Sequence, residues 1–288
     1  RPRRGASASG RGGPGIRVAC VMDIGAPQAK HGFTHRQMLS ALQAACARRG
    51  WSLLTVDNTH QTEEKVVGRI HAQKAVAVIL DSDSAKMIRL LKDTGLPTVL
   101  MDSWVWDSWV DSVMQDGQMG GMQAVEYLVS RGHRRIAWFG NLSGTDHSVD
   151  RLSGVVAGLN MQGLELPQAY RVHAEEGKQK PLALELLSRR NRPRGVIALW
   201  QEYALSVKKA ADELGLVLGR DLDLVGWSME ENYQSEYCAA FKDEVPPAVT
   251  WSMKSMAETA LSRLAERLQR PDLPALRLKI PTRLTFAE

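Results

Sequence analysis

At 288 residues, with 44% of them hydrophobic and 24% charged, the chain has the apolar material of one large domain or two lobes and the composition of a soluble globular protein. The net charge of +5 is a local feature, because Arg1, Arg3, Arg4, Arg11 and Arg17 fall in an opening segment without acids. The other 32 basic residues balance 32 acidic ones, so the folded body offers no global case for nucleic-acid binding.

Residues 1–15, "RPRRGASASGRGGPG", hold almost nothing to bury and read as a flexible basic linker, either a phosphate-attracting arm or a plain solvated tether. From residue 16 strands and helices alternate. "IRVACVMD" predicts a strand, and "HRQMLSALQAACARRG" predicts a helix closed by Gly50. "WSLLTVDN", "AVAVIL" and "PTVLM" predict further strands, with helices over 62–72 and 83–93. Residues 102–113, "DSWVWDSWVDSV", break that rhythm. A second series follows: helix 117–130, strand "IAWFG", helix 147–163, strand "YRVHA", helix 179–190, strand "GVIALW", helix 201–214 and strand "LDLVGW". Strands alternating with helices of this length predict an α/β protein, with one parallel sheet per series and helices on both faces. Two such lobes enclose a cleft.

Motifs that carry catalytic chemistry are mostly missing. "GRGGPG" precedes the first strand instead of following it, so it cannot cradle a phosphate at a helix N-terminus. "GNLSG" lacks the spacing of a nucleophile elbow. His31 and His35 stand four apart but bring no third ligand and no catalytic glutamate, so no metal site is expected. Asp81 and Asp83 follow a strand end, and N-capping of the next helix by that "DSDS" segment is preferred to an acid–base pair. Cys20, Cys46 and Cys238 form no CxxC and suit buried thiols in a reducing compartment. The longest apolar runs are too short to span a membrane and there is no signal-peptide core, so the cytoplasm is the expected location. What remains at strand ends is polar and aromatic, with Trp200 and Gln201 at one of them. That predicts binding without catalysis and without a cofactor.

"YLVSRGHRRIAWFGN" at 127–141, then "DRLSGVVAGL" at 150–159, resembles the ligand-binding core of LacI/GalR-type transcriptional repressors. The stretch from 192 to 227, "RPRGVIALWQEYALSVKKAADELGLVLGRDLDLVGW", and the closing "SMKSMAETALSRLAERLQRPDLPALRLKIPTRLTFAE" resemble that family in the same order. The resemblance implies a fold similar to periplasmic sugar-binding proteins of type I: two Rossmann-like lobes with parallel sheets, three crossovers and a ligand cleft between the lobes. On it, residues 1–15 are the linker, 16–128 plus 252–272 the first lobe, and 129–251 plus 273–288 the second.

Site residues follow from the same likeness. Arg151 falls on a family arginine that reaches into the cleft, where a guanidinium grips hydroxyls or a carboxylate. Asp102 falls on a strand-end aspartate that contacts ligand or caps a turn, and Asp116 on one expected to be structural or coupling. His133 is expected to be structural. The departures are informative. Trp200-Gln201 stands where most relatives have Asn-Asp, Gly226-Trp227-Ser228 where they have an aspartate in place of the serine, and Trp251 where they have a polar residue. His173 or Ala174 replaces a family aromatic. The incoming indoles are either stacking platforms for a sugar ring or aromatic ligand, or plugs of the cleft. Trp104, Trp106 and Trp109 are expected to be buried by a lobe or a partner, since leaving them in water costs on the order of several kcal/mol.

The expected effector-binding set is Asp102, His147, Arg151, Trp200, Gln201, Ser228 and Trp251. The resemblance implies the effector-sensing core of a homodimeric regulator, with a carbohydrate-related small molecule as effector. Operator DNA would be bound by an N-terminal helix-turn-helix that residues 1–15 are too short to supply, which reads as removal of that part. The alternative is a solute-binding receptor of the same fold that delivers ligand to a transporter.

Overall fold

Val18–Met22 and Val196–Leu199 are buried at every position, the pattern of parallel strands covered on both faces. The computed structural model describes residues 15–24, 32–82, 84–103, 110–141, 146–175, 177–242 and 244–287. The first series is β1 (Arg17–Met22), α1 (Gly32–Arg48), β2 (Ser52–Asp57), α2 (Glu63–Ala72), β3 (Ala77–Leu80), α3 (Ala85–Asp93), β4 (Thr98–Met101) and β5 (Asp111–Gln115). The second is α4 (Gly117–Ser130), β6 (Ile136–Gly140), α5 (Asp146–Met161), β7 (Arg171–His173), α6 (Gln179–Ser188), β8 (Gly195–Ala198), α7 (Trp200–Glu213), β9 (Asp223–Met229), the one-turn α8 (Ala239–Phe241) and β10 (Ala248–Trp251). The chain closes with α9 (Met253–Gln269), β11 (Arg277–Ile280) and β12 (Arg283–Thr285).

Two six-stranded sheets result, ordered β2-β1-β3-β4-β5-β11 and β7-β6-β8-β9-β10-β12. All pairings are parallel except β10 with β12. Each sheet therefore repeats the doubly wound order 2-1-3-4-5, whose switch point lies between its first and third strands. In the first lobe α1 and α9 cover one face, and α2 and α3 the other, over Val66, Ile70, Met87 and Leu91. In the second, α4 and α5 cover one face, and α6 and α7 the other. Its interior holds the large aromatics Trp138, Phe139, Trp227, Tyr237 and Trp251. The two-lobed α/β class expected from the sequence is the fold observed.

The lobe limits need correction. Residues 117–128, expected in the first lobe, form α4, which lies on α5, β10 and β12 of the second. Strand β11, expected in the second lobe, pairs with β5 as the edge of the first sheet. The chain thus crosses between sheets at Asp116, at Ser252 and at Pro281–Thr282. β5 itself is absent from the sequence reading. "DSVMQ" looks polar, yet all five residues are buried, because Asp111 is neutralised by Arg263 at 2.9 Å and Arg267 at 2.6 Å on α9. The linker 1–14, His31, Asp83 and the Trp104, Trp106 and Trp109 cluster lie outside the described residues. The cysteines are free, Cys20 and Cys46 are buried, and burial pushes the Cys46 thiol up to about 11.

Candidate functional site

Ligands of open α/β sheets bind beyond the strand C-terminal ends at the switch point. In the second lobe that point is bounded by β6 and β8. The helix after β6 carries Arg151, and the residue opening the helix after β8 is Trp200. The two meet: the Arg151 guanidinium carbon lies 4.6 Å from the Trp200 ring centre. On a second side it lies 5.4 Å from Trp227 of β9. Stacking of a desolvated guanidinium on indoles is worth about 2 kcal/mol or more.

Close backbone contact puts Arg151 there. Helices α4 and α5 touch so tightly that a Cβ on Gly154 would stand 2.0 Å from the Gln118 carbonyl oxygen. Gly120 on α4 likewise leaves room for the Trp227 ring, which a Cβ would meet at 2.6 Å. This approach sets α5 beside the end of β5, where the Gln115 side-chain Oε1 accepts Trp227 Nε1–H at 2.9 Å and Arg151 Nε–H at 3.4 Å. Gln115 belongs to the first sheet and its two partners to the second lobe, so this amide ties the lobes together. Sequence reasoning missed both Gln115 and Trp227. The first sits at the end of an unrecognised strand. The second was read only as a neighbour of Ser228.

Arg151 is 3% exposed. Burial lowers its pKa to about 10, against the opposing effect of Asp102 and Asp150 nearby. Asp102 ends β4 in the left-handed region, φ +53, a conformation aspartate tolerates. Trp200 also has positive φ, +64, which for a bulky aromatic stores about 1–3 kcal/mol of backbone strain. In this conformation the indole lies over Arg151.

The structure therefore brings together Asp102, Arg151 and Trp200 from the expected set. Gln201 follows on α7, half-buried, with no side-chain hydrogen bond to a described residue. His147 lies in α5, and its side chain is outside the described residues. Ser228 and Trp251 are set apart. Strand alternation turns Ser228 to the opposite face from Trp227, and its hydroxyl donates to the Met229 carbonyl at 3.2 Å. Trp251 is 1% exposed and sits in the core, where its Nε1–H has no partner among the described residues.

The first lobe's switch point is different. His35 of α1 pairs through Nε2 with Asp81, beyond β3, at 3.0 Å. That hydrogen bond raises the His35 pKa, partly opposed by burial, with Asp23 beyond β1 adding to the rise. Capping of α3 comes from the "DSDS" segment as expected, through Ser84, which accepts from Met87 N–H at 3.2 Å. His133 is structural, its Nε2 2.5 Å from Asp223. Asp116 caps α4 and pairs with Lys279 at 3.3 Å. Lys279 also reaches Asp150, the residue before Arg151, at 3.2 Å, so one lysine joins two crossings to the start of α5. No group of three or more His, Cys, Asp or Glu among the described residues is arranged to hold a metal.

The model of the periplasmic binding protein-like domain matches residues 125–286. The chain belongs to that family. The ribose operon repressor of Escherichia coli (strain K12) is 26% identical over 255 residues, spanning 85% of this chain and 75% of the repressor. A regulatory protein of the LacI family from Chloroflexus aggregans superposes with a TM-score of 0.80 at 21% identity, over 94% of this chain and 96% of that one. The transcriptional regulator CelR in complex with cellobiose gives 0.78 at 21% identity, over 95% and 85% of the two chains. These likenesses support the LacI-type effector-binding core that the motifs implied. Arg151 and Trp227 fall within the matched residues and Gln115 ahead of them, and their seam lies where the two lobes meet.

Proposed function

We propose that this LacI-type core senses a carbohydrate-related small molecule between its lobes and passes the signal to operator DNA. The observation that carries the proposal is Arg151: a buried cation at the second lobe's switch point, hydrogen-bonded to the first lobe through Gln115. A ligand seated at that seam touches both sheets, so it binds one lobe angle better than another. That differential affinity is all an effector can contribute to a shift of state. The Lys279 pairs with Asp116 and Asp150 offer a path from the seam to the crossings. The cellobiose complex of a structural neighbour supports the carbohydrate class.

The same reading makes the protein a cytoplasmic homodimer that acts through an N-terminal DNA-binding domain and catalyses nothing. The comparison with a named repressor supports a regulator over an enzyme. Among the described residues no helix is long and apolar enough to cross a membrane. The test is operator binding by the full-length regulator, followed by fluorescence anisotropy with and without compounds that raise the core's melting temperature. An effector should change operator affinity about fivefold or more. A bound compound that is turned over, or that leaves operator affinity unchanged, would overturn the reading.

A further inference from the structure

The atoms at the seam have an unequal hydrogen-bond balance. Arg151 is covered by Trp200 on one side and approached by Trp227 on another, and its Nε–H is committed to Gln115. Its outer fork, Nη1 and Nη2, has no hydrogen-bond or ion-pair partner among the described residues. Asp150 is already bonded to Lys279 and to the Gln118 amide. Gln115 is 1% exposed, and its orientation is fixed, because two donors converge on its oxygen. Its amide nitrogen must point the other way, and there it is buried without a partner among the described residues. Both of these groups are donors, the fork set beside the Asp102 carboxylate, and a buried amide such as that of Gln115 is ordinarily satisfied.

From this we infer that the effector presents a carboxylate to the Arg151 fork, as a sugar acid does. The inference rests on the proposed effector role of the cleft and narrows its ligand class. Guanidinium and carboxylate match as two parallel N–H···O bonds in one plane, which fits a fork whose flanks are closed by rings. A neutral sugar would satisfy donors with hydroxyls but bring no charge to a cation that has no direct ion pair among the described residues.

Matched pairs test it: D-glucuronate and D-gluconate against D-glucose, and D-galacturonate against D-galactose, by calorimetry on the intact core, with inorganic phosphate as a further arm. The inference predicts that at least one acid binds tenfold or more tighter than its neutral parent. That preference should vanish in Arg151→Gln and weaken in Arg151→Lys, which keeps the charge but loses the fork. Asp102→Asn should tighten acid binding by removing a like charge, whereas it should weaken a sugar held through hydroxyls. Circular dichroism confirms that each variant folds. Equal or better binding of a neutral sugar overturns the carboxylate and leaves the effector cleft standing. Phosphate binding as tightly as the acids also overturns it. If no acid binds, the inference is wrong, and if nothing in the wider carbohydrate panel binds either, the effector reading falls with it.

Discussion

Two arginines are buried among the described residues, one per lobe, and they are treated in opposite ways. Arg263 of α9 is 4% exposed and meets Asp111 at 2.9 Å, Glu266 at 2.7 Å and the Pro274 carbonyl at 2.6 Å. Burial lowers its pKa, but the bonds to Glu266 and Asp111 outweigh that and raise it. Arg151 is 3% exposed and has one long bond to a neutral amide plus two indoles, and its pKa falls. A buried cation with full compensation fixes a fold. One whose fork is left open at a lobe junction is arranged for something that arrives later. The switch points repeat the contrast, since His35 and Asp81 satisfy each other in the first lobe while the second presents an aromatic cradle.

The comparison breaks most readily at Asp111. Asp111→Asn removes the negative charge shared by Arg263 and Arg267 and should cost about 3–5 kcal/mol, read as a lower urea midpoint. Gly154→Ala forces α4 and α5 apart at the Gln118 carbonyl and should cost about 1–3 kcal/mol, while weakening effector binding by displacing Arg151. Arg151→Met should behave unlike Asp111→Asn. Replacing a buried cation that has no direct ion pair among the described residues by an apolar chain of similar length should change unliganded stability by about 1 kcal/mol or less, or raise it. The smallest effect is the pH dependence from His35. Its folded pKa lies above the unfolded value of 6.5, so its contribution is complete below that value and is lost as pH rises through the folded pKa. Chemical denaturation across pH 5–9 should show this loss in the wild type and not in His35→Gln.

Much of the fold was legible because each series alternates apolar runs with helices whose ends carry recognisable caps. Helix 117–130 was read with the limits observed, and α2, α5 and α7 within two residues. β5 was not legible, because its aspartate is neutralised by arginines about 150 residues away. The placement of β11 was equally hidden, since an edge strand's partner is fixed by tertiary pairing and not by its own four residues. At the site, Trp200 was legible as a strand-end residue, whereas Arg151 and Asp102 were reached through the family resemblance. The seam was not. It depends on a helix contact set by Gly154 and on Gln115 arriving from the other sheet. Trp251 shows the limit of reading position alone, for a strand-end indole proved to be core.

The central claim is that Arg151 is held open for an effector and is not a keystone of the fold. The most direct measurement is the melting temperature of wild type and Arg151→Met, each with and without the tightest-binding compound of the panel. The account predicts that the two unliganded proteins melt within a few degrees of each other and that the compound raises only the wild type. A variant that melts far lower without ligand, or is shifted as much as the wild type with it, would contradict the claim.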